Sequence, residues 1–286
     1  MPEFRWASSN LEKGGRKDGH NGPLTRTLEV VAELDPHVWC VQELGHENPD
    51  LFMEHMLLIA SQLGMQPFTG PVCGLGGAHG NRVAIFVSRD YEVRDVWPGL
   101  TGRQTLPWMR ARITGPGLPR DTHVFSAHLA ARSADERRHD AQVIGSWSAD
   151  RMALGDTVLL AGDLNYQAPG GAGMCPLSKW PRRLLPQRAR IVPAGTEGAT
   201  QIDGQWWAPD TDPGGELTLH GLHDVAHLVA ARTGSSTPYL PTGIPGQARV
   251  DQMWIGGELA GAELAYSAHL AGSDHMTTFA TIQLPG

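Results

Sequence analysis

The chain alternates short, continuous apolar runs with stretches of helical periodicity, and most of the apolar runs end in a polar residue. A brief apolar run closed by polar or turn residues reads as a strand buried on both faces. Strands of this kind are expected at 4–9, 38–41, 83–87, 109–113, 123–127, 158–161, 249–255 and 276–284. Helices are expected between them. Residues 24–34 set Leu24, Leu28, Val31 and Leu34 on one stripe, and Asp35-Pro36 ends it. Residues 50–63 carry a broad apolar face, 134–152 read as a long charged helix, and 222–231 as a short one. The rhythm stops from 166 to 219, a Gly-, Pro- and Trp-rich stretch too long for an ordinary connection. It is expected to run over one face of a single α/β domain spanning 1–286, since no repeat and no linker divides the chain.

The polar residues that flank the runs carry the chemistry, most of them just after a run, Asp251 at the start of one and Asp274-His275 just before the last. In order they are Asn10, Gln42-Glu43, His128, Asp163-Leu164-Asn165, Asp251 and Asp274-His275. One such residue is ordinary turn chemistry. Six in a shared cleft point to metal-assisted hydrolysis of a phosphate ester. Asp163 and Asn165 are two apart, so an extended backbone turns both to one side, one to orient a water and the other to donate to a phosphate oxygen. The competing reading is a strand followed by an Asx turn. His275 can hydrogen-bond the phosphate, and a carboxylate can hold its tautomer, with Asp251 a plausible orienting partner. Glu43 suits a hard cation that keeps waters for substrate to displace. His128 alone reads as a satisfied structural histidine, and Asn10 alone as a turn residue.

The order and spacing of these motifs resemble the endonuclease/exonuclease/phosphatase superfamily. The residues that carry the likeness are Asn-Leu-Glu at 10–12, Gln-Glu at 42–43, His128-Leu129, Gly-Asp-Leu-Asn at 162–165, Arg-Val-Asp at 249–251 and Ser-Asp-His at 273–275. The resemblance implies a deoxyribonuclease-I-like fold, a four-layer α/β/β/α sandwich of two packed, mainly antiparallel sheets. It also implies roles. Glu43, with Asn10 and Asp274 nearby, would bind Mg2+ or Mn2+. Asp163 would polarise the attacking water, Asn165 and His275 would stabilise the phosphate, Asp251 would orient His275, and His128 would be a second phosphate-facing histidine. The deoxyribonuclease branch holds that histidine with a glutamate, which the motifs leave unplaced.

Composition narrows the substrate less than the site. The formal charge of -7 argues against a protein that clings to nucleic acid with its whole surface. A local basic face stays open at 179–190, with Lys179, Arg182 and Arg183 as phosphate contacts and Trp180 for stacking on a base, against a solvated helix face. Arg82 is a further candidate for substrate contact. The expected activity is phosphodiester hydrolysis, foremost of DNA, with a small or lipid-derived phosphate ester as the alternative. Substrate choice would rest with the loops at 73–82, 98–108 and 166–219. His223 and His227 offer a distant zinc-hydrolase reading, one helical turn apart, but Asp replaces the usual Glu between them. Three cysteines without framework spacing point to the cytoplasm, and no apolar run is long enough for a membrane span, so no membrane partner is expected.

Overall fold

The computed structural model of the chain describes residues 2–15, 20–45, 49–70, 82–99, 108–131, 133–168, 177–180, 182–243 and 248–284. The first sheet is built from β1 (Glu3–Asn10), β2 (Val38–Gln42), β3 (Met65–Thr69), β4 (Ala84–Ser88), β14 (Leu264–Leu270) and β15 (Met276–Gln283), in the order β14-β15-β1-β2-β4-β3. The second contains β5 (Glu92–Gly99), β6 (Trp108–Thr114), β7 (Thr122–His128), β8 (Thr157–Asp163), β12 (His223–Asp224) and β13 (Asp251–Gly256), in the order β12-β13-β8-β7-β6-β5. Each sheet has one parallel pair, β1 with β2 and β7 with β8, and is otherwise antiparallel. The mainly antiparallel sandwich is therefore the architecture present.

Both faces of the central strands are apolar because both are covered. Between the sheets, Phe4, Trp6, Val38, Cys40 and Ile85 meet Met109, Val124, Leu159, Ala161 and Met253. Outside the first sheet lie α2 (Gly22–Leu34) and α3 (Pro49–Leu63), which bring Leu24, Leu28, Val31, Phe52, Met56 and Ile59 onto Trp39, Val41 and Phe86. The four-residue α1 (Glu12–Gly15) precedes them. Outside the second sheet, α4 (Ala134–Ala153) and α5 (Asp212–Leu219) place Ala141, Ile144 and Leu217 on Phe125, Leu160 and Trp254. Ser133 caps α4 by accepting from Glu136 N, with Asp135 and Glu136 in the first turn.

The stretch at 166–219 is not structureless. It holds a small sheet of β9 (Ala189–Ile191), β10 (Thr200–Ile202) and β11 (Gln205–Pro209), besides α5. Leu177, Trp180, Leu185, Ala189 and Trp207 pack there into a core of their own, against Ala248 and Val250. The short helix expected at 222–231 begins later: His223–Asp224 is a strand, and α6 (Val225–Thr233) starts on an Asp224 cap that accepts from Ala226 N. Among the described residues, no helix is long and apolar enough to cross a membrane.

Candidate active site

Strand direction alone gathers the polar motifs at one end of the sandwich. The parallel pairs bring Asn10 beside Gln42 and His128 beside Asp163 at their C-terminal ends. The antiparallel neighbours arrive from the other direction, so β13 begins at that end with Asp251 opposite Asp163, and His275 immediately precedes β15. Two of these residues leave their strands through left-handed turns, Glu43 and Asn165, each at φ 53°. That conformation is uncommon outside glycine, and it bends the chain sharply at a strand end. Around Glu43 the turn is fixed by Gly14 N to Glu43 O at 2.8 Å and Leu44 N to Arg82 O at 3.0 Å. Beyond Asp163 it is an Asx turn, Asn165 N donating to Asp163 Oδ1 at 3.0 Å. The turn set against the functional reading from sequence is thus the device that brings Asn165 next to Asp163; Asn165 lies beyond the strand, so strand alternation is not what aligns them.

The buried Asp163 carboxylate is the hub. Asn10 Nδ2 donates to Asp163 Oδ2 at 3.1 Å and to Glu43 Oε1 at 3.2 Å. His128 Nε2 stands 3.7 Å from Asp163 Oδ2 and 3.9 Å from Glu43 Oε1. From the other side, His275 Nε2 stands 3.8 Å from Asp163 Oδ2 and 3.8 Å from Asp274 Oδ1. Behind His275, Asp251 holds Nδ1 with both oxygens, at 2.9 and 3.0 Å, so Nδ1 carries its proton toward Asp251 and Nε2 faces the cleft. Asp251 is seated in turn by Thr242, whose Oγ1 accepts from Asp251 N at 2.9 Å. Thr242 is buried, and no motif singled it out.

Burial works against the His275 charge, yet Asp251 and Asp163 outweigh it and push its pKa up to about 10. His275 is therefore cationic at neutral pH. Burial also opposes the Asp163 charge, but His275, His128 and Arg188 reverse the balance and hold its carboxyl below the ordinary aspartate value. The result is an ionised acceptor with cationic neighbours, an arrangement that can take a hydrogen bond from water and stabilise negative charge beside it.

Asp163, Asp251 and His275 each offer a ligand atom within 4.8 Å of the others, a group compact enough to hold a metal. Asp251 and Nδ1 of His275 already satisfy one another, however, so we read this trio as an orienting pair facing Asp163. At the mouth, the half-buried Glu43 carboxylate, linked to Asp163 through Asn10, supplies hard oxygen donors of the kind magnesium or manganese takes. Asn10 Oδ1 accepts from Glu12 N at 2.9 Å, and ligation through that oxygen requires the amide to turn over. Asp274, more exposed, lies at the same mouth beside His275.

The outer substrate contacts fare differently. Trp180 is buried in the small core, so its ring faces are not open to a base. Arg182 is exposed but pairs with Asp203 at 2.6 Å. The side chains of Lys179 and Arg183 lie outside the described residues, as do His79, Cys73, Cys175 and most of the loops at 73–82 and 98–108. Arg82 is half-buried, its guanidinium 4.0 Å over the Phe52 ring. The zinc reading fails on geometry. His223 sits on a strand and His227 on the following helix, where its Nδ1 meets Tyr239 Oη at 2.7 Å, so the two do not share a helical face.

The sequence profile described as the Endonuclease/Exonuclease/phosphatase family matches residues 7–275. The chain belongs to that family. Its members are phosphate-ester hydrolases that depend on divalent metal. No curated protein matches the chain by sequence. Solved structures agree in fold. The human Nocturnin catalytic domain with bound sulfate aligns at a TM-score of 0.65 and 13% identity, over 99% of this chain and 94% of that one. TDP2 from D. rerio in complex with a single-strand DNA product aligns at 0.63 and 12%, over 99% and 100%. An endonuclease/exonuclease/phosphatase from Bacteroides vulgatus aligns at 0.61 and 14%, over the full length of both. This family member is thus an enzyme of phosphate-ester hydrolysis with two packed six-stranded sheets.

Proposed function

We propose that the chain is a phosphodiesterase that uses Mg2+ or Mn2+ and acts on nucleic acid, with DNA as the first substrate class. Convergence of Asn10, His128 and His275 on the buried Asp163 carboxylate, within 3.1 to 3.8 Å, carries this reading. Glu43, Asn10 and Asp274 would hold the cation, which supplies Lewis-acid polarisation of the phosphate when bound. Asp163 accepts the proton of the attacking water. His275 donates from Nε2 to the phosphate while Asp251 keeps its Nδ1 occupied. His128 and Asn165 add further donors. DNA enters as a proposal by analogy, since the D. rerio TDP2 that aligns along its whole length holds a single-strand DNA product. We place the enzyme in the cytoplasm, as a single domain over 1–286, on its sparse cysteines and undivided pattern.

One observation favours a smaller ester. The described cations of the basic segment are already engaged, Arg182 with Asp203, Arg190 with Asp212 at 2.6 Å and Arg188 with Asn165. A DNA backbone therefore finds fewer uncommitted charges there than the sequence advertises. Nicking of supercoiled plasmid, run beside hydrolysis of bis(4-nitrophenyl) phosphate, separates the readings. Nicking at the higher efficiency supports the nuclease. Turnover of the small diester with intact plasmid moves the substrate to a small ester.

A further inference from the structure

Arg188 belongs to a segment that reads as a basic surface, but its side chain is buried beneath the cleft. Its Nη1 donates to Asn165 Oδ1 at 2.5 Å and to Asn165 O at 3.3 Å. The other end of the carboxamide is also held, with Nδ2 donating to Leu129 O at 2.9 Å. Turning the amide over would set two N–H donors against a guanidinium and an oxygen against a carbonyl. Both contacts would become repulsive, so the amide has one stable orientation. The second Nδ2 hydrogen is then what Asn165 has left to offer.

A second buried pair holds Arg188 in place. Arg137, fully buried on α4, donates to Asp210 Oδ2 through Nε at 2.7 Å and to Ala130 O through Nη1 at 2.9 Å. The backbone of Asp210 bridges the two sides of the site, its N–H donating to Arg188 O at 3.0 Å and its carbonyl accepting from Gln167 N at 3.1 Å. The segment carrying Arg188 and the loop carrying Asn165 are thereby tied to one keystone.

We propose that Arg188 is a positioning residue that locks the Asn165 amide so that an N–H, and not the oxygen, faces the reacting phosphate. The proposal rests on the phosphoesterase reading of the site. It assigns Arg188 no contact with substrate, which separates it from an arginine that clamps phosphate directly.

The test compares Arg188→Met, Arg188→Lys, Asn165→Ala and the Arg188→Met/Asn165→Ala double variant on bis(4-nitrophenyl) phosphate in saturating Mg2+ or Mn2+. Arg188→Met is expected to lower kcat by roughly 10- to 100-fold with KM changed less than about threefold, as for loss of one oriented donor. In the Asn165→Ala background the same change should cost markedly less than in the wild type, the remainder being the loss of the Arg188 charge beside Asp163. Arg188→Lys should recover part of the loss. An activity-independent readout follows the Asn165 side-chain NH2 by NMR in 15N-Asn protein, where Arg188→Met should speed its hydrogen exchange at least about tenfold. Equal losses of kcat in both backgrounds, or unchanged Asn165 exchange, would overturn the proposal. If the wild type hydrolyses no phosphodiester, the enzyme reading fails, and the exchange measurement still decides the positioning role. If Arg188→Met does not fold, Arg188→Lys carries both readouts.

Discussion

Asp140 makes a sharp prediction about pH and stability, away from the site. It is buried on α4, where burial first and the nearby Glu136 second push its pKa up to about 7. The unfolded chain releases the same proton near the ordinary value of 3.8. Between those values the folded state holds more protons than the unfolded state, so stability falls as pH rises from about 4 to about 7, and the whole cost stands above that. Three pH units set a ceiling of about 4 kcal/mol, and after relaxation and water penetration we expect about 1–3 kcal/mol. Asp140→Asn removes the charge at nearly constant shape. Urea unfolding, with metal chelated, should show the variant about 1–3 kcal/mol more stable than the wild type at pH 8, and less than half as much more stable at about pH 4. An equal gain at both pH values, or a loss at pH 8, would show that burial does not hold the Asp140 proton.

Other consequences concern the cleft. Asp251→Asn should lower kcat by roughly 10²- to 10³-fold with the fold intact, because His275 loses the carboxylate that holds Nδ1 and sustains its charge; a loss under about fivefold, measured as kcat against KM with circular dichroism as a fold check, would show that the pair does not orient the reaction. Glu43→Gln should raise the Mg2+ concentration for half-maximal activity by at least about tenfold, and an unchanged metal titration would assign the ligand elsewhere. Arg137→Met strands the buried Asp210 carboxylate, and a loss of about 3–5 kcal/mol is expected in urea unfolding; a loss below about 1 kcal/mol would remove Arg137 as the anchor of the segment that carries Arg188.

What was legible in the sequence follows from burial. β2, β4, β7, β8 and β13 lie between covered layers and are buried almost throughout, so each reads as a mainly apolar run, and in all but β4 the polar residue at its cleft end stands out. β3, β5 and β14 were not legible. They stand at sheet edges and most of their positions are half-buried or exposed, as in Glu-Val-Arg-Asp-Val of β5, so no buried apolar run marks them. α5 was hidden by the Pro and Gly in its first turn. Asn10, weak as a lone turn residue, acquires a partner set only when β1 and β2 pair in parallel and bring it within reach of Glu43 and Asp163.

Arg188 and Trp180 failed in sequence for a common reason. A run rich in arginine reads as a wet surface, because arginine and lysine are seldom fully buried unless paired. Burial of Arg188 depends on Asn165, 23 residues earlier, and burial of Trp180 on a small core closed by Ala248 and Val250. Neither contact has a local signature. The basic character of 179–190 is thus partly internal architecture.

The central claim is metal-dependent hydrolysis of a phosphodiester through Asp163. Its most direct test measures wild type and Asp163→Ala, purified side by side, on supercoiled plasmid and bis(4-nitrophenyl) phosphate in Mg2+, in Mn2+ and in chelator. The account predicts wild-type turnover of at least one substrate that chelator abolishes, and a loss of about 10²–10⁴ in kcat for Asp163→Ala at saturating metal. Turnover that survives chelation, or a loss below about tenfold in the folded variant, would contradict it.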